Sequence, residues 1–360
     1  MTNFIPGVQL SKKFYEDVVK DIFEEGFPNM KYSMGLLGHG SEVLGYDTEI
    51  STDHDWGPRL VLFLDELDYG KHSKIDNLLN KKLPDTFMGY SVRPDKVSDT
   101  REKETQNIST KHRIEITTIK TFFEKELGFN PNEEPRPVDW LLLSSQRLLS
   151  VISGEVYYDG LGELNKIRER FSYYPKDVWF YILASQWRKI SQEDSFMGRA
   201  GDVGDDLGSK IIATRLVVYI MKLCFIMERR YVPFIKWLGT AFSELKCSNT
   251  LLPILREVLS ANNWKDREKE LSKAYEYIAA KHNELDITNP LPTKVSKFYS
   301  RPYLIIQAGA FEEAIRGKIT DKKVSTLLSK AGSVNQFIDN TDILDDINTL
   351  VKLKTIYFAN

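Results

Sequence analysis

Two stretches near the N-terminus combine residue types that could do phosphate and metal chemistry. Gly38-His39-Gly40-Ser41-Glu42 is a glycine-rich turn sequence, and Ser51-Thr52-Asp53-His54-Asp55 follows a short way downstream. Glycines let a backbone approach phosphate oxygens, and a hydroxyl beside backbone N–H groups can donate to them. Gly40 and Ser41 are therefore candidate phosphate-binding residues. In a strand, alternate residues share a face, so Asp53 and Asp55 can point the same way. Two carboxylates about 5 Å apart repel by roughly 3 kcal/mol at an effective dielectric near 20. A cation should compensate, and Mg²⁺, which favours carboxylates together with substrate phosphates, suits the pair. A third acid would complete a two-metal clamp on the attacking and leaving oxygens. Glu115, between Ile114 and Ile116, is the candidate. Asp65 and Glu66 are set aside, because they lie roughly 33 Å along an extended chain from Asp55.

Charge is distributed to match. From Gly40 to Asp68 there are eight carboxylates (Glu42, Asp47, Glu49, Asp53, Asp55, Asp65, Glu66, Asp68) against Arg59 alone. From Lys210 to Lys236 there are six bases against the single acid Glu228, so the net charge of −2 is a sum of opposites. Lys210, beside Ser209 at a helix start, is a candidate phosphate contact, and Lys236 a second. Arg215, Lys222 and Arg229 recur every seven residues, share a helix face and read as a solvated stripe. Gly201-Asp202-Val203-Gly204-Asp205-Asp206-Leu207-Gly208-Ser209-Lys210 is not a P-loop: the Gly-Ser-Lys order is wrong, no strand precedes it, and its aspartates repel phosphate. Asp202, Asp205 and Asp206 are candidates for the base that accepts a hydroxyl proton, with helix capping as their competing role.

The elements that must position these residues fall into two groups. Ser11–Phe27 reads as an amphipathic helix with Ser11 as N-cap. Strands are expected at Tyr32–Leu37, Leu60–Leu64, Tyr90–Arg93, Arg113–Thr118 and Glu155–Tyr158, and helices at Lys71–Leu83 and Val138–Ser153. From about Leu161 strand signals vanish, and helical patterns follow at Leu161–Phe171, Lys176–Ile190, Ser209–Arg229, Pro233–Leu245, Leu251–Ala261 and Trp264–Asn283. The expected class is α+β: a catalytic domain over 1–160 with a mixed sheet flanked by helices, then an all-helical domain over 161–360 that closes on substrate or nucleotide.

Composition narrows the function classes. In 360 residues, 42% hydrophobic with 12% aromatic, there is ample material for a core. Cys224 and Cys247 cannot build a disulfide framework or a cysteine zinc site. The near-neutral charge argues against an extended nucleic-acid surface. No signal peptide is evident, and Ile211–Met227, broken by Arg215 and Lys222, is too short and charged to span a bilayer. A cytoplasmic protein without membrane contact is expected.

A Gly-Ser turn after a strand, an Asp-x-Asp downstream and a lone acid on a later strand resemble the DNA polymerase beta-like nucleotidyltransferase superfamily, which includes the lincosamide and kanamycin nucleotidyltransferases. Gly-His-Gly-Ser-Glu, Ser-Thr-Asp-His-Asp-Trp-Gly-Pro-Arg and Gly-Asp-Val-Gly-Asp-Asp-Leu-Gly-Ser are more closely similar to an uncharacterised bacterial nucleotidyltransferase-like family labelled a domain of unknown function, over most of the chain. The resemblance implies that Gly40 and Ser41 bind a triphosphate and that Asp53, Asp55 and Glu115 hold two Mg²⁺. It departs at Trp56-Gly57-Pro58-Arg59, since Pro58 cannot donate to a ladder and Gly57 suggests a bulge. The implied reaction moves NMP, with ATP as the default donor, from an NTP to a hydroxyl acceptor and releases pyrophosphate; a small-molecule acceptor is favoured over protein or tRNA. One alternative is a non-catalytic nucleotide sensor. Another, suggested by His54-Asp55 with His39, is an HD-type metal phosphohydrolase, but that fold carries its ligands on helices. His39 either contacts phosphate or completes the turn, and His112 has a surface role or orients Glu115.

Overall fold

The computed structural model describes residues 4–53, 56–93, 112–327 and 330–358. Its chain divides into two compact units, Met1–Glu134 with Arg147–Ser172, and Pro135–Gln146 with Tyr173–Asn360.

The first unit opens with α1 (Gly7–Phe14), a π-helical turn (Tyr15–Val19) and α2 (Lys20–Gly26). Next come β1 (Tyr32–Leu36), the short α3 (Ser41–Leu44), a 3-10 turn (Glu49–Asp53) and β2 (Leu60–Leu64). α4 (His72–Lys82), the two-residue strands β3 (Thr86–Phe87) and β4 (Tyr90–Ser91), β5 (Ile114–Thr118) and α5 (Ile119–Leu127) follow. The chain passes through α6 (Pro137–Leu142) of the second unit and comes back along α7 (Ser145–Ile152), then β6 (Glu155–Asp159) returns to the sheet and α8 (Leu164–Arg170) leaves it.

The sheet order is β5-β2-β1-β6, with β1 antiparallel to β2 and β6, and β2 parallel to β5. Every residue of Leu60–Leu64 is buried, as a central strand covered on both faces requires. Met34, Leu60, Leu62 and Ile114 pack with Phe14, Phe23, Ile75 and Leu79 from α1, α2 and α4. On the alternate face, Phe63 meets Phe122 of α5 edge-on, with ring centroids 5.2 Å apart.

The second unit is built on α9 (Lys176–Glu193), α10 (Phe196–Asp202), α11 (Asp206–Met227), α12 (Ile235–Ser243), α13 (Ser248–Ser260), α14 (Trp264–Glu284) and α15 (Ala308–Arg316). Trp187 of α9 stacks on Phe311 of α15 at 4.2 Å. The unit is helical except for the antiparallel pair β7 (Ser296–Lys297) and β8 (Leu304–Ile305), so the all-helical expectation needs that amendment.

Two local readings are also corrected. Helix α1 starts after Pro6, not at Ser11, and Ser11 is fully buried inside it. Its hydroxyl instead accepts the backbone N–H of Arg59 at 3.3 Å, a tertiary role that no capping pattern reveals. The expected helix Val138–Ser153 is two helices, because Leu143 is extended and the Ser145 N–H donates to the Asn335 side chain at 2.7 Å. Among the described residues no helix is long and apolar enough to cross a membrane.

Candidate functional site

Strand directions bring the glycine turn and Glu115 to one end of the sheet. In the antiparallel β1–β2 pair Gly35 faces Val61, and in the parallel β2–β5 pair Val61 faces Glu115. The C-terminal end of β1, the N-terminal end of β2 and the N-terminal end of β5 therefore coincide. The first leads directly into Gly38–Ser41, the second receives the chain from Asp53, and the third carries Glu115. Asp65 and Glu66 follow β2 at its other end, where with Lys31, Thr118 and Lys120 they line a polar cavity of about 480 Å³.

The turn is built on left-handed glycines, with φ of 91° at Gly38 and 132° at Gly40. Gly38 lets the chain pass Phe122, whose ring lies 3.4 Å from where a Cβ would be. A Cβ on Gly40 would land on the Arg59 guanidinium and the Glu42 carboxylate, which pair through Arg59 Nε and Glu42 Oε1 at 2.6 Å. The same guanidinium donates to the His39 carbonyl. Arg59, the single base of the acidic stretch, thus clamps the turn. Gly40→Ala combines backbone strain with a clash against a buried ion pair and should destabilise by about 1–3 kcal/mol. Gly45→Ala, at φ 75° with open space around it, meets only the left-handed penalty of about 1 kcal/mol. Urea midpoints of the two variants check the difference.

Glu115 is half-buried on β5, and among the described residues no hydrogen bond or ion pair reaches its carboxylate. Asp53 differs from the expectation. It ends the 3-10 turn and is not on a strand. The turn is held by Thr52 Oγ1 donating to the Glu49 carbonyl at 2.8 Å and by the Thr48 N–H donating to Ser51 Oγ at 3.0 Å. Gly57, at φ 152°, and Pro58 then delay the ladder until Leu60. Strand alternation therefore does not place Asp53. Asp55 and His54 lie outside the described residues. The chain re-enters at Trp56, whose indole donates to Asp47 Oδ2 at 3.1 Å, and that oxygen also accepts the Gly7 N–H at 2.7 Å. Asp47 is thus an anchor for the loop.

Sequence reasoning missed an ionic group behind the turn. His39 Nε2 lies 3.4 Å from Glu126 Oε1, and Arg147 lies 3.6 Å from Glu126 Oε2. Burial works to raise the Glu126 carboxyl, but the His39 hydrogen bond and the His39 and Arg147 charges outweigh it and hold the carboxyl below its usual range. No spacing rule links residues so far apart in sequence. His112 neither orients Glu115 nor sits on the surface: it is buried and faces Asp76 across 3.2 Å, and burial lowers its pKa despite that carboxylate.

The remaining candidates lie in the second unit, and most already have partners. Ser209 is fully buried, and its hydroxyl accepts from the buried Arg267 at 2.7 Å. It is therefore engaged within the helix packing. Lys210 pairs with Asp206 at 2.8 Å, and Asp206 also meets Arg267 at 3.3 Å. Asp205 caps α11 by accepting the Gly208 N–H at 2.7 Å, and Asp202 accepts from Tyr303 at 3.1 Å. Lys236 lies over its neighbour Trp237 at 4.1 Å. Of the basic row, Arg215 and Arg229 are exposed as expected, though Arg215 pairs with Glu193 at 2.5 Å and Arg229 sits on Trp179 at 4.2 Å; Lys222 departs from the stripe, and burial lowers its pKa.

Among the described residues no group of three or more His, Cys, Asp or Glu side chains is arranged to hold a metal ion. Glu115 is a half-buried carboxylate at the sheet end that carries the Gly38–Ser41 turn, and no described residue bonds to it.

Residues 140–238 match a family model described as a domain of unknown function (DUF4037). That segment contains Gly201–Ser209 but neither the Gly-Ser turn nor Asp53, Asp55 and Glu115, so the match is shorter than the expected resemblance over most of the chain. A search of the curated proteins finds no match. Among solved structures the chain is similar to a nucleotidyltransferase-like protein from Exiguobacterium sibiricum, at 9% identity over 78% of each chain and a TM-score of 0.33.

Proposed function

We propose that the protein is a Mg²⁺-dependent nucleotidyltransferase that moves NMP, AMP by default, from an NTP to the hydroxyl of a small-molecule acceptor. The observation that carries this reading is the shared end of the sheet: a glycine turn with a serine, and Glu115, whose carboxylate no described residue bonds. Gly40 and Ser41 would hold β- and γ-phosphate oxygens, the glycine by allowing close approach and the serine through its hydroxyl. Glu115, with Asp53 and Asp55, would hold the metal. When bound, Mg²⁺ would neutralise the phosphate oxygens and stabilise the charge that develops at the α-phosphorus. The acceptor oxygen bonds to the α-phosphorus, the bond to the bridging oxygen of pyrophosphate breaks, and the hydroxyl proton passes to a carboxylate at this end of the sheet.

One observation favours a second reading. Asp53 on a 3-10 turn, off the strand, suits a protein that binds a nucleotide without transferring it. Incubation with α-³²P-labelled ATP, Mg²⁺ and a cell extract separates the two. Transfer of label to a small acceptor with release of pyrophosphate supports the enzyme; tight binding with no transfer supports the sensor. Absence of binding rejects both.

A further inference from the structure

We propose that His39, oriented by the buried Glu126 carboxylate, is the cationic phosphate contact of the glycine turn, a residue that recognises the polyphosphate chain and not the base or sugar. This rests on the nucleotide reading above and deepens it.

Glu126 sits where general rules disfavour an acid. Its side chain is 2% exposed, in the last turn of α5, before the helix stops at Gly128. Burial of a carboxylate costs several kcal/mol unless it is paired, and the C-terminal end of a helix repels negative charge. Arg147 offsets only part of this, because its Nη1 also donates to the carbonyls of Lys125 and Glu126 at 3.3 and 3.1 Å. Glu126 Oε2 has no hydrogen-bond partner. His39 Nε2 faces the other oxygen, Oε1, at 3.4 Å, and a protonated ring there would add a second positive charge beside the carboxylate.

His39 itself is 48% exposed. It lies between two left-handed glycines and two residues from Ser41. A buried acid that holds a half-exposed histidine against a phosphate-binding turn is an expensive way merely to fix a loop, since Arg59 already clamps that loop through Glu42 and the His39 carbonyl. A local rule broken without local gain points to function. Among the described residues, Glu126 of α5 lies 3.4 Å from the His39 ring, Arg147 of α7 pairs with Glu126 behind it, and Arg59, paired with Glu42 of α3, donates to the His39 carbonyl.

The test measures Mg·ATP and inorganic tripolyphosphate binding by titration calorimetry across pH 5.5–8.5, with the His39 ring followed by NMR. A charge-assisted hydrogen bond predicts that His39→Asn weakens both ligands about tenfold or more. Wild-type affinity falls as pH rises through the His39 pKa, beyond the change that His39→Asn shares through the ligands' own titration. Glu126→Gln keeps the ring in place and lowers its midpoint by about one unit. If wild type binds ATP and His39→Asn binds it equally with the same pH dependence, the His39 assignment is wrong and the nucleotide reading stands. If wild type binds neither ligand, the nucleotide reading fails and takes the phosphate contact with it, whatever the ring titration shows. An unshifted midpoint in folded Glu126→Gln removes Glu126 from its positioning role.

Discussion

Glu115→Gln should lower nucleotidyl transfer about a thousandfold, roughly 4 kcal/mol in the barrier, and leave the fold intact. The amide keeps the size of the side chain but loses the negative charge that a hard cation needs. Stability should change by less than about 0.5 kcal/mol, because no described residue bonds to the carboxylate, while Ile114 and Thr117 on either side stay buried. Glu42→Gln provides the contrast. Glu42 is 3% exposed and pairs with Arg59, so its loss should lower the urea midpoint and activity together. Initial rates of pyrophosphate release beside urea midpoints make the comparison. Loss of activity without loss of stability at Glu115 marks a ligand of the reacting centre; parallel losses there would make it a structural acid.

The second large effect is in the helical unit and concerns pH. Asp194, at the end of α9, is 6% exposed, and burial pushes its carboxyl up to about 7 despite a hydrogen bond from the Ser195 backbone. His282, fully buried on α14 against Trp187 and Phe311, is pushed down to about 4 by burial. Their signs oppose. Between the ordinary aspartate pKa and 7, the folded chain holds a proton on Asp194 that the unfolded chain has lost, so stability falls as pH rises. Between 4 and the ordinary histidine pKa, the unfolded chain holds a proton that folded His282 lacks, so stability rises with pH. At about 1.4 kcal/mol per pH unit, the two slopes nearly cancel in the wild type across this window. Asp194→Asn removes the falling component, and unfolding free energy should then climb by roughly 3 kcal/mol from pH 4 to 6.5. His282→Gln removes the rising one, and stability should drop by roughly 4 kcal/mol from pH 4 to 7. Urea titrations at half-unit pH steps measure both slopes. Superimposable profiles for the three proteins would show that neither group is perturbed as its burial requires.

The sequence was most legible where one property dominates. Leu60–Leu64 is apolar throughout, and it is the buried central strand. The long helices α9, α11 and α14 fall within a few residues of their expected positions because their patterns run for several turns. Legibility failed where a tertiary partner overrides a local pattern. Ser11 has the chemistry of a cap but bonds the backbone of Arg59, and Ser209 has that of a phosphate contact but bonds Arg267. The Asp53/Asp55 alternation assumed a strand that Gly57 and Pro58 postpone. Gly40, Ser41 and Glu115 could be flagged from residue type and a flanking strand alone, and the strands beside them are where the pattern put them. The His39–Glu126 pair could not be flagged in this way, because only the folded turn brings α5 beneath it.

The central claim is that a nucleotide and its metal bind at the end of the sheet where the glycine turn meets Glu115. A crystal structure with Mn²⁺ and a non-hydrolysable ATP analogue, phased for the manganese anomalous signal, tests it most directly. An anomalous peak is expected about 2.1 Å from a Glu115 carboxylate oxygen, with the triphosphate over Gly40 and Ser41. Nucleotide in the cavity at the other end of β2, beside Asp65 and Lys120, with no manganese at Glu115, would contradict it.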